Sequence, residues 1–90
     1  MSHTHITITL SYSNDETIHL DLRIPLKIRV QHLIMELNDL FEKKVNQKKY
    51  QLTVLNKGLI LGEGCWLKDY PLGDGDRLEV LENDGYGRYD

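Results

Sequence analysis

Apolar and polar residues alternate strictly near the start of the chain, where Ile6, Ile8 and Leu10 are separated by Thr7 and Thr9. A period of two marks a strand with one buried face. The run from Ser11 to Glu16 is polar and rich in turn formers, and it predicts a break. Alternation then resumes, with Ile18, Leu20, Leu22 and Ile24 facing one way and His19, Asp21 and Arg23 the other. Two alternating runs around one short break predict a hairpin. After Pro25 the period lengthens, since Val30, Leu33, Ile34, Leu37, Phe41 and Val45 follow the i, i+3, i+4, i+7 spacing of an amphipathic helix, with Leu40 at the edge of the stripe. Pro25 suits the start of that helix, where a missing N–H costs nothing. Lys43 and Lys44 are expected in its last turn, against the negative end of the dipole, with Asp39 and Lys43 as an i, i+4 pair. Ile28 and Met35 fall on the opposite side of this helix from the stripe.

Tyr50 to Leu55 predicts a third strand with Leu52 and Val54 inward, and Asn56-Lys57-Gly58 a turn. Leu59-Ile60-Leu61 is a short fourth strand, Cys65 to Leu72 holds one short helical turn, and Leu78 to Leu81 forms the last strand after the tight Gly73-Asp74-Gly75-Asp76 reversal. The hairpin alone cannot shield both its own apolar face and the helix stripe, so the later strands must complete a sheet on one side of that helix, with the last strand beside the first. This order defines an α+β fold, a β-grasp roll with a mixed sheet of four to five strands on one main helix.

Composition narrows the class. Ninety residues with 28% charged and 40% hydrophobic content make one globular domain, expected over residues 1–82, followed by a polar, Gly-rich tail over 83–90. The net charge of −3 argues against a nucleic-acid role. One cysteine excludes an internal disulfide and a four-cysteine metal or iron–sulfur site. No apolar run approaches the length of a membrane span, and Met1–Leu10 lacks the features of a secretory signal, so the chain is expected in the cytoplasm without membrane insertion.

The segment from Leu59 to Leu81 carries the most specific pattern. Leu67-Lys68-Asp69-Tyr70, then Leu72, then Gly73-Asp74-Gly75-Asp76 before Leu78-Glu79-Val80-Leu81 resembles the end of a ubiquitin-like domain. Leu67, Tyr70 and Leu72 are expected to plug the open end of the roll. The Pro25-Leu26-Lys27 run, Val54 followed by Lys57-Gly58, and Asp-Gly-Asp before the terminal strand extend the likeness over nearly the whole chain. Together they resemble the YukD/EsaB family, small ubiquitin-like proteins of type VII secretion in Gram-positive bacteria. The longer tail after Leu81 and the Cys65-Trp66 pair depart from that pattern.

None of these motifs is a catalytic signature. Activating the Cys65 thiol needs a histidine or cation nearby, and His3, His5, His19 and His32 are all distant in sequence, so the plain reading is a small half-buried thiol beside Trp66. His3 and His5 share one face of the first strand, but two ligands are too few for a structural metal site. Asp69, Asp74 and Asp76 lack the spacing of a calcium loop and fit turn chemistry. Lys43, Lys44, Lys48 and Lys49 form the one basic cluster, expected as a solvated helix end. No catalytic set, cofactor or metal site is therefore expected, and the protein is expected not to be an enzyme.

The informative residues are apolar ones facing outward. With Leu52 and Val54 inward, Leu55 points out; with Leu78 and Val80 inward, so does Leu81. If the two strands are neighbours, Leu55 and Leu81 share an exposed face, flanked by Lys57 and Glu79. Ile28 and Met35 on the outer helix surface are a secondary candidate, with a weak homodimer contact as one use. The resemblance implies an accessory or regulatory component of a WXG100-type secretion system that works by protein contacts. Its expected partner is the membrane-anchored secretion ATPase or associated membrane components, reached by recruitment to the inner face of the cell membrane. The alternatives are a ubiquitin-like or sulfur-carrier protein activated at a processed C-terminus, and a generic β-grasp adaptor. The chain ends Gly85-Tyr86-Gly87-Arg88-Tyr89-Asp90, without the terminal diglycine that the carrier alternative needs.

Overall fold

A computed structural model describes residues 4–43 and 49–83. Strands β1 (His5–Tyr12) and β2 (Asp15–Pro25) form the expected hairpin, helix α1 runs Val30–Leu40, and β3 (Lys49–Val54), β4 (Leu59–Leu61) and β5 (Arg77–Asn83) complete the sheet. A single 3-10 turn, Leu67–Asp69, lies between β4 and β5. The sheet order is β2-β1-β5-β3-β4, with β1 and β5 parallel and the other pairs antiparallel. This is the mixed sheet of a β-grasp roll.

The core follows the periodicities. Ile6, Ile8 and Leu10 of β1, Leu52 and Val54 of β3, and Leu78 and Val80 of β5 are buried, and Val30, Leu33, Ile34 and Leu37 meet them from the helix. Leu67 is fully buried, with Tyr70 and Leu72 packed against the core from the side. In β2 only Ile18 and Ile24 are buried; Leu20, which shares their parity, is 37% exposed. β2 is an edge strand, so the sheet has no further neighbour to wall off Leu20.

Three boundaries differ from the sequence reading. Pro25 ends β2 instead of opening the helix: it lies opposite His5, and the Leu26 N–H still donates to the Thr4 carbonyl at 2.9 Å. A proline is tolerated at this place because its nitrogen faces the free edge of the sheet, where no partner is lost. The helix begins at Val30 with no side-chain cap. The loop before the 3-10 turn serves instead, since the Val30 and Gln31 N–H groups donate to the carbonyls of Cys65 (2.9 Å) and Glu63 (3.0 Å). The same seam continues outward through Leu67 N–H to Ile28 O and Lys68 N–H to Leu26 O, both 2.9 Å.

At its other end the helix stops at Leu40, so Lys43 lies beyond the last turn, and Lys44 and Val45 fall outside the described residues. Glu42 takes a φ of 55°, with Glu42 N–H donating to Asp39 O and Lys43 N–H to Asn38 O at 2.7 Å. That is the reversal that ends many helices, here with glutamate where glycine is usual. Tyr12, read from sequence as part of the polar break, is instead the buried last residue of β1. Its hydroxyl donates to Asn38 Oδ1 at 2.8 Å, and its ring meets Phe41 edge-on at 5.8 Å. Lys43, just past the helix, pairs with Asp15 of the hairpin at 2.6 Å, in place of the expected Asp39, and its ammonium lies 5.4 Å from the Tyr12 ring centroid. Finally, β5 continues to Asn83, opposite Lys49, two residues beyond the expected strand end; the rest of the tail lies outside the described residues.

Candidate functional site

The helix covers one face of the sheet and leaves the other open. On that outer face strand parity places Arg77, Glu79 and Leu81 of β5 and Gln51 and Thr53 of β3, with Leu55 just past the end of β3. The Leu55 N–H donates to the Arg77 carbonyl at 2.7 Å, which continues the β3–β5 register one step beyond the strand. Leu55 therefore stands at the level of Arg77, while Leu81 stands opposite Gln51. Four residues separate those levels, roughly 13 Å along the strand.

Thr53 and Glu79, directly opposite each other, occupy the gap. The Thr53 hydroxyl donates to the Glu79 carbonyl at 3.3 Å. The two leucines thus share a face but do not touch as nearest neighbours. A third apolar residue closes the cluster from the far side: Ile60 of β4 lies opposite Thr53 and is 63% exposed. Leu55 is 47% exposed and Leu81 half-buried. Thr53 is then the centre of a patch with Ile60 beside it, Leu55 two residues further along the same face of its own strand, and Leu81 at the cross-strand diagonal. Ile60 went unnoticed in the sequence because a three-residue strand shows no period to read. A shallow concavity of about 320 Å³ borders this patch, lined by Lys49, Tyr50, Gln51, Ile60, Leu61, Gly62 and Glu63.

Lys57 does not flank the patch as expected. Its ammonium donates to the Pro71 carbonyl and, at 2.9 Å, to Asp76 Oδ2. Asp76 is 5% exposed and also accepts from Asn56 Nδ2 and the Gly73 N–H, each at 2.9 Å. Burial pushes its carboxyl upward, and the hydrogen bonds from Asn56, Lys57 and Gly73 outweigh that and hold it below the usual range. The Asp74 carboxylate accepts the Thr7 N–H at 2.8 Å, and Gly75, at a φ of 88°, donates to the Thr7 carbonyl at 2.8 Å. The Asp-Gly-Asp segment is therefore a clamp between the last turn and β1.

The secondary surface is not built. Ile28 lies before the helix, partly buried against the core, whereas Met35 is 64% exposed on α1, so the two do not share an outer helix face. Cys65 is exposed and unpaired by a disulfide, not half-buried as its sequence context suggested. Beside it the Arg29 guanidinium stacks 4.5 Å above the Trp66 ring and donates to the Gly64 carbonyl. His5 is exposed with Nδ1 3.0 Å from Thr4 Oγ1, and His3 lies outside the described residues. So do Lys44 and Lys48 of the basic cluster, while Lys49 is exposed on β3. Among the described residues no group of three or more His, Cys, Asp or Glu side chains gathers as a metal site. No helix among them is long and apolar enough to cross a membrane.

A five-stranded mixed sheet on a single helix, closed by a 3-10 turn beneath its open end, defines a ubiquitin-like protein. The same architecture appears in a ubiquitin from Caldiarchaeum subterraneum, with a TM-score of 0.66 and 18% identity over 86% of this chain and 91% of that one. It appears again in a chain of an ESX-5 inner membrane complex, with a TM-score of 0.73 and 12% identity over 98% of this chain and 23% of that one. The family model for protein YukD of the WXG100 protein secretion system matches residues 5–80, and the chain belongs to that family. A relative in Staphylococcus aureus (strain Newman), the type VII secretion system accessory factor EsaB, is 30% identical over 77 residues, which span 86% of this chain and 96% of that protein.

Proposed function

We propose that this protein is a non-enzymatic cytosolic component of a type VII secretion apparatus, acting through contacts made by the outer face of its sheet. The observation that carries the reading is the cluster of Leu55, Ile60 and Leu81 around Thr53, on a face whose other members are polar or charged. Solitary exposed apolar residues are ordinary, whereas a grouped set on an open sheet is a recognition surface. Family membership supports the setting, and the fold shared with a chain of an inner membrane complex is consistent with it. The partner is the membrane-anchored secretion ATPase or a membrane component associated with it, so the protein is recruited to the inner face of the membrane. Glu79 and Arg77 border the apolar cluster and set the orientation of docking.

Leu55→Lys and Ile60→Lys test this directly. Both positions are exposed, so thermal melting is expected to move little, by about 0.5 kcal/mol or less in stability. Co-purification of the ATPase or membrane components from the native host is expected to fall to background. Full retention of those partners by the double variant would refute the docking face.

A further inference from the structure

The sheet has two edges of unequal kind. At one, β4 is only three residues long; at the other, β2 runs for 11. Long edges are normally blunted by inward charges, internal prolines or bulges. Between Ile18 and Ile24 β2 has none of these: its inward positions are Ile18, Leu20, Leu22 and Ile24, its bulge lies at the hairpin end, and Pro25 is its last residue.

The hydrogen-bond phase shows which amides are free. Leu26 N–H bonds to Thr4 O, so every second pair back along the ladder, Ile24–Ile6, Leu22–Ile8 and Leu20–Leu10, exchanges bonds with β1. His19, Asp21 and Arg23 therefore direct their N–H and C=O groups to the open edge. Their side chains stand on the outer face, where Thr9 Oγ1 holds Asp21 with a 2.9 Å hydrogen bond. Arg23 has no ion-pair partner among the described residues. On the inner side Leu20 is 37% exposed and Leu22 half-buried.

We propose that this edge is a self-association surface, occupied by β2 of a second copy running antiparallel about a twofold axis through Leu22. In that register Asp21 of each copy faces Arg23 of the other, Leu22 meets Leu22, and Leu20 meets Ile24. Residues 21 and 23 are the ones with outward amides, so each Asp–Arg pair coincides with a closely spaced pair of backbone bonds. Moving the axis to Asp21 sets Asp21 against Asp21, which repels, and leaves Arg23 facing His19. Moving it to Leu20 sets Asp21 against His19 and Arg23 against Thr17, whose N–H is already committed to Asp15 Oδ1 at 3.0 Å, and so loses both Asp–Arg pairs. Charge pairing thus selects one arrangement, in which His19 faces the donor-less Pro25 and the backbone bonds centre on the Asp21–Arg23 pairs: an isologous dimer with a continuous sheet of ten strands, five from each copy. The contact leaves the cluster around Thr53 free.

Charge exchange tests it. Sedimentation of the wild type across a concentration series is expected to show a monomer–dimer equilibrium, with slowed exchange of the Asp21 and Arg23 amides in the dimer. Asp21→Arg alone and Arg23→Asp alone each set like charges opposite one another and are expected to weaken association about tenfold or more. A one-to-one mixture of the two variants, and the double variant carrying both changes, restore opposite charges and are expected to dimerise again. Association in the mixture also demonstrates that both variants are folded. A wild type that stays monomeric at about 1 mM, with freely exchanging Asp21 and Arg23 amides, overturns the proposal and leaves the edge to a strand from another protein. So does a single variant that dimerises as well as the wild type, or a mixture of folded variants that stays apart.

Discussion

Asp15 opens β2 at the hairpin and Asp76 closes the turn before β5, and the two meet opposite surroundings. Asp76 is nearly removed from water and survives ionised because three donors converge on it, a pattern general to buried carboxylates. Asp15 lies at the hairpin, where the Lys43 ammonium, then the Thr17 hydroxyl and amide, lower its pKa from 3.8 to about 2. A carboxyl depressed in the folded state adds stability that is complete above its unfolded pKa and is lost as pH falls through the folded one. The denaturation midpoint is therefore expected to drop between about pH 4 and pH 2. In Asp15→Asn that part of the drop should vanish, which urea titrations at stepped pH will show; identical pH profiles would remove the Lys43 pair from the account. Neither this pair nor the Asp76 cluster was legible in the sequence. Their partners lie 28 and 19 residues apart, and no periodicity links a lysine to a carboxylate at such distances.

The elements themselves were legible wherever the period was long enough to repeat. The hairpin, the apolar stripe of α1 and the inward parity of β3 and β5 all follow from alternation or helical spacing, and the outward parity of Leu55 and Leu81 follows with them. What failed were the ends. Pro25 carries the same missing N–H at a helix start and at a free sheet edge, so composition could not choose between them. Apolar residues continue the stripe past Leu40 and so predict a helix reaching Val45, whereas the chain reverses at Glu42. Tyr12 was hidden by polar neighbours, and its buried bond to Asn38 becomes visible only once β1 lies under the helix. Ile60 had too few strand neighbours to declare a face. The helix end offers its own test: a non-glycine residue at a φ of 55° is strained. Glu42→Gly is expected to raise stability by about 0.5–1 kcal/mol, read as a higher melting temperature; an unchanged or lower one would show that the Glu42 side chain compensates.

For the molecule as a whole, sheet order matters more than any single contact. β5 comes last among the described elements yet lies in the middle of the sheet, paired with β1 on one side and β3 on the other. Truncation after Asp76 is therefore expected to abolish the fold rather than trim it, with far-UV circular dichroism showing loss of the sheet; a truncated chain with native dichroism would contradict this reading of the topology. A twofold axis perpendicular to the sheet would also set the two copies of the Thr53-centred cluster toward opposite ends of the ten-stranded sheet, roughly 34 Å apart across the intervening strands, so that only a partner repeated at that spacing gains from simultaneous engagement.

The central position of β5 has a further consequence during synthesis. A ribosome delivers the N-terminal hairpin, the helix and β3 before the strand that joins them, so the nascent polypeptide cannot close its hydrophobic interior until Arg77–Asn83 has cleared the exit tunnel. Holdase chaperones have their opportunity in the interval before that strand emerges.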